Sequence, residues 1–121
     1  MKTPSVYLLP KADLLFAFET AIFTARDKTG AGNNVSDAAA EALASYVYDG
    51  FANTAITPNP SHCMRTLRRH RIDHSVFNWL ADSTHRRDLT RLPPEVNLAL
   101  KSAIDQALDK YVQDHSDKTI A

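Results

Sequence analysis

Cysteine is nearly missing from this sequence. A single Cys63 among 121 residues excludes an internal disulfide and any zinc site built from several cysteines. Glycine is almost as scarce, with three in the chain, and no glycine-rich phosphate loop, nucleophile elbow or evident carboxylate pair can be found. Catalysis is therefore not expected. Long apolar runs are missing too. The longest mostly apolar stretch, Leu14 to Ala25, is interrupted by Glu19 and falls short of the roughly 20 residues that cross a bilayer. No run combines a basic start, an apolar stretch and a small-residue cleavage site. A cytosolic domain without a membrane span is the expectation.

Net charge is absent as well, since 14 Lys and Arg balance 14 Asp and Glu. Zero net charge argues against a nucleic-acid partner, but the charge is unevenly distributed. Residues 1–58 and 93–121 each sum to −2, whereas residues 59–92 carry seven Arg against three Asp, a net +4. That stretch has no Lys and holds four of the five His. Arginine presents a planar fork of donors that suits phosphate and guanine, a preference that mere solubility does not require.

What remains is helical periodicity. Val6-Tyr7-Leu8-Leu9 reads as the end of an extended arm over residues 1–9. From Lys11 to Lys28, Leu14, Leu15, Phe18, Ile22 and Ala25 recur at three- and four-residue spacing, and Phe16 and Phe23 widen the apolar face. Gly30, Gly32 and the asparagines between them and Val35 turn the chain. Ser36 caps a second helix with Ala39, Ala40, Leu43, Tyr46, Val47 and Phe51 inward, ending near Gly50 to Asn53. Pro58 and Pro60 make the next segment a loop. Ser61 caps a third helix to about His70, with Cys63, Met64 and Leu67 inward and Arg65, Arg68 and Arg69 outward. Asp73 caps a fourth, His74 to about Asp82, with Val76, Phe77 and Leu80 inward beside Trp79. Pro93 and Pro94 open a long last helix to about His115, roughly 33 Å at 1.5 Å per residue, and the tail from Ser116 is expected to be mobile. The fold class is thus all-α, one compact domain of about five helices.

Residues 61–82 then read as a helix-turn-helix. The second helix would enter the major groove, with His74, Ser75 and Asn78 reading base edges. Arg65, Arg68, Arg69 and Arg71, with Arg86, Arg87 and Arg91 beyond them, would bind phosphates on either side. The alternative is a solvated cationic face. The stretch Ser75-Val76-Phe77-Asn78-Trp79-Leu80-Ala81-Asp82, followed by a link and the helix from Pro94, resembles the recognition-helix region of phage repressor-region regulators of the YdaT and CII type. The resemblance covers at most residues 61–112 and implies transcriptional regulation by a dimer or tetramer. Leu108, Tyr111 and Val112 are then candidates for an oligomer interface, against a core role for the same stripe.

His62, Cys63, His70, His74 and His85 also lie close together in sequence. His70 and His74 are spaced for one helical face, but Asp73 reads as a cap between them, so neither a metal nor another cofactor is expected. The functional expectation is a sequence-specific DNA-binding regulator. Its rival is a small protein-binding inhibitor, immunity or adaptor module that sets the arginine-rich face against an acidic partner without touching nucleic acid.

Overall fold

The computed structural model describes residues 11–30, 35–52, 61–82 and 92–119, with the side chains of the last helix through Gln113. Four helices account for nearly all of this: α1 (Lys11–Lys28), α2 (Asp37–Phe51), α3 (His62–Ala81) and α4 (Pro94–Thr119). Among the described residues there is no strand. The arm at residues 1–9 and the link at 83–91, with His85, Arg86, Arg87 and Arg91, lie outside the described residues.

Each helix packs on its neighbour in a closed order, α1 on α2, α2 on α3, α3 on α4 and α4 on α1, which sets α1 and α3 diagonally opposite. One core joins them. Leu14, Phe18 and Ile22 of α1 meet Leu43, Val47 and Phe51 of α2, Ile72, Val76 and Trp79 of α3, and Leu100, Ile104 and Leu108 of α4. Burial of such side chains supplies about 1.5–3 kcal/mol each before entropy is counted. Phe16, by contrast, is 69% exposed; it widens the apolar content of α1 but not its buried face.

Local chemistry fixes the helix ends as the sequence indicates. The Ala39 amide donates to Ser36 Oγ at 3.1 Å, and the Met64 amide donates to Ser61 Oγ at 3.3 Å, so both serines satisfy an amide that the first turn leaves open. Gly30 closes α1 with φ +72°, a left-handed conformation that costs glycine little. Arg26 then ties the turn to α2, its Nη1 2.5 Å from Asp37 Oδ1.

Two helices expected over residues 61–82 are one. α3 runs without a break through His70-Arg71-Ile72-Asp73, so the helix-turn-helix pair does not form there and the described helices number four. Two physical reasons account for this. The segment contains no Gly or Pro to break it, and Arg68, Ile72, Ser75, Val76 and Trp79 share one buried face only if the helix is continuous. Asp73 sits mid-helix and pairs with Lys101 of α4 at 3.1 Å instead of capping. α4 also continues four residues past the expected end at His115, so the backbone of 116–119 is helical.

Candidate functional site

Continuity of α3 rotates its first half relative to the sequence-based expectation. Cys63, Met64 and Leu67, expected inward, are exposed, and Arg68, expected outward, is 9% exposed. Its guanidinium reaches α4, with Nε 2.7 Å from Asp105 Oδ1 and Nη1 2.9 Å from Asp109 Oδ1. Arg68 is therefore a cross-link between two helices, and its charge is spent on carboxylates that would repel a phosphate.

Ser75 is likewise withdrawn from the surface. It is 4% exposed, and its hydroxyl donates to the Arg71 carbonyl at 2.8 Å. It faces α2 at Gly50, where a Cβ would lie 2.6 Å from Ser75 Oγ. α2 ends at Phe51, within the Gly50 to Asn53 segment where its end is expected, and the missing side chain of Gly50, in its last turn, is what lets α3 approach. Arg71 joins the same contact from outside, donating to the Gly50 carbonyl at 2.9 Å. Trp79 completes the seam, fully buried with Nε1 donating to the Ala39 carbonyl at 2.9 Å.

Of the three residues expected to read bases, His74 and Asn78 are exposed on α3 and Ser75 is not. Of the arginines expected on phosphates, Arg65, Arg69 and Arg71 are exposed and Arg68 is buried. The candidate interface residues Leu108, Tyr111 and Val112 are all buried; Leu108 and Val112 belong to the core, which favours the core role for them, and Tyr111 borders the groove between α1 and α4.

The outward face of α3 is consequently different from a simple polar strip. Leu67 and Phe77 are 59% and 65% exposed, although Phe77 was expected inward. With His70 and His74 they form the series 67, 70, 74, 77, whose three- and four-residue steps align on one face. Arg71 and Asn78 border that stripe on one side and Met64 extends it toward the N-terminus of the helix. Sequence reasoning missed these apolar residues because it treated each half of α3 separately; a single helical register through Arg68, Ile72 and Trp79 places Leu67 and Phe77 opposite the core.

Among the described residues no three His, Cys, Asp or Glu side chains gather where they could hold a metal ion, and no helix is long and apolar enough to cross a membrane. Comparison with protein-family models, with curated proteins and with solved structures finds no match to this chain.

Proposed function

We propose that this chain is a protein-binding module that docks on an acidic partner through the outward face of α3. The observation that supports it is the pair of large apolar side chains, Leu67 and Phe77, left exposed with His70 and His74 on one face of α3 and bordered by Arg71. Exposed apolar anchors with a polar and basic border are the composition of an interface centre, and an amphipathic helix presents them at the spacing a groove reads. Base readout by a helix-turn-helix needs a second, crossing helix that a continuous α3 does not provide.

The test is affinity capture from the native host with the full chain as bait, comparing wild type with Leu67→Asp/Phe77→Asp and with a Cys63→Ser control. The expected result is an acidic protein retained by wild type and control, released by salt and lost with the double variant. Retention of the same proteins by the double variant overturns the reading.

DNA binding stays as a second reading, because Arg65, Arg69, Arg71, His74 and Asn78 remain exposed along the same helix. Titration of a fluorescent duplex from upstream of the chain's own gene decides it. Binding that falls steeply with salt and is weakened by Arg69→Ala would support DNA; no binding at low salt removes it.

A further inference from the structure

Opposite the seam of α2 and α3, the seam between α1 and α4 opens into a groove of about 870 Å³. Its lining is mostly short side chains, among them Ala17, Thr20, Ala21, Ala103 and Ala107, with the longer Gln106 and Tyr111 and the exposed Phe16. Phe16 is the most exposed large apolar residue described. A protruding ring beside a shallow channel of small residues is a knob and a hole on the same surface, which is what a self-complementary two-fold contact requires.

The charges on α1 strengthen this. Along the groove-facing side from Asp13 to Lys28, the intervening lining residues Phe16, Ala17, Thr20, Ala21, Thr24 and Ala25 are all uncharged. Asp13 and Lys28 are exposed at opposite ends, separated by about 22 Å at 1.5 Å per residue. Turned antiparallel about a point between Thr20 and Ala21, the same series matches itself. Thr20 then opposes Ala21 of the second copy, Ala17 opposes Thr24, and Asp13 opposes Lys28, the last pairing occurring twice by symmetry. Lys110 lies on the α4 wall of the groove.

We infer that a second copy of this chain packs across this groove, its α1 antiparallel to the first and its Phe16 lying in the small-residue channel. Short side chains let two helices approach at the lower end of the usual 8–10 Å separation. Asp13 and Lys28 select the antiparallel orientation, since a parallel pair would set like charges together. The contact uses α1 and the outer side of α4, leaving both α3 faces outward, so it is independent of what α3 binds.

Sedimentation velocity of the full chain over a concentration series tests it. The expected result is a concentration-dependent dimer that Phe16→Glu converts to monomer while the circular dichroism stays as in wild type and the thermal midpoint matches that of wild type diluted to monomer, because Phe16 is outside the core. Lys28→Asp should weaken the dimer by up to about tenfold, as two exposed ion pairs are lost. Mixing Lys28→Asp with Asp13→Lys should yield a heterodimer tighter than either variant's homodimer. A monomer at millimolar concentration, or a dimer indifferent to Phe16→Glu, overturns the inference.

Discussion

Gly50 acts through the side chain it does not have. A methyl group there would press on Ser75 Oγ at 2.6 Å, with the next nearest atoms at 4.0 Å, so the obstruction is one hydroxyl. Gly50→Ala should therefore turn the Ser75 hydroxyl off the Arg71 carbonyl and destabilise the protein by about 0.5–1.5 kcal/mol, the worth of one hydrogen bond. In a Ser75→Ala background the same change should cost far less, because the obstructing oxygen is gone and alanine favours a helix interior by up to about 1 kcal/mol over glycine. A urea-unfolding double-mutant cycle measures this; equal costs in both backgrounds would show that the Ser75 hydroxyl is not what a side chain at position 50 meets. In the sequence Gly50 marks only the end of the helix, which follows at Phe51; that it also admits Ser75 is not legible, since nothing local names the neighbour.

At the scale of the helix, α3 gives the clearest case of what local pattern can and cannot convey. Its N-cap at Ser61, the burial of Val76 and the helical character of nearly every residue are legible in the sequence, whereas Trp79, read as beside the inward face, is at its centre. The same holds for the bounds of α1 and α2, whose apolar series are flanked by Gly30 and Ser36. What is not legible is whether Asp73 starts a helix or sits inside one. An aspartate is a good cap wherever the chain turns, and only the distant partner Lys101 and the shared face of Arg68 with Trp79 show that the chain does not turn. Burial of an arginine is similarly unreadable until Asp105 and Asp109, thirty-seven and forty-one residues away, are brought beside it. Hydrogen exchange checks the continuity directly. The amides of Ile72 to Val76 should be protected as strongly as those of the turns on either side, because each donates within an unbroken helix. Rapid exchange confined to these five amides would restore the helix-turn-helix.

For the molecule as a whole, stability is tied to alkaline pH through two tyrosines. The Tyr46 hydroxyl donates to Asp82 Oδ2, and that hydrogen bond, with burial and the carboxylate's charge, raises the Tyr46 pKa above its ordinary value of 10.0. Burial, with the neighbouring Asp13 carboxylate, raises that of Tyr111. Both shifts favour the protonated phenol in the folded state. Their contribution is thus complete below pH 10 and is lost as pH rises from there through the folded-state values, since the unfolded chain gives up these protons first. Denaturation midpoints recorded at successive pH should fall above about pH 10, and Tyr46→Phe should flatten part of that fall. An unchanged profile in Tyr46→Phe would remove Tyr46 from the linkage.

Trp79, the only tryptophan in the chain, is wholly enclosed and joined to Ala39 of the neighbouring helix. The protein consequently carries a built-in optical probe at the seam of α2 and α3. Its fluorescence should be blue-shifted in the native state and shift to the red when that seam opens, while an occupant arriving on the outward face of α3 should leave the emission wavelength where it was.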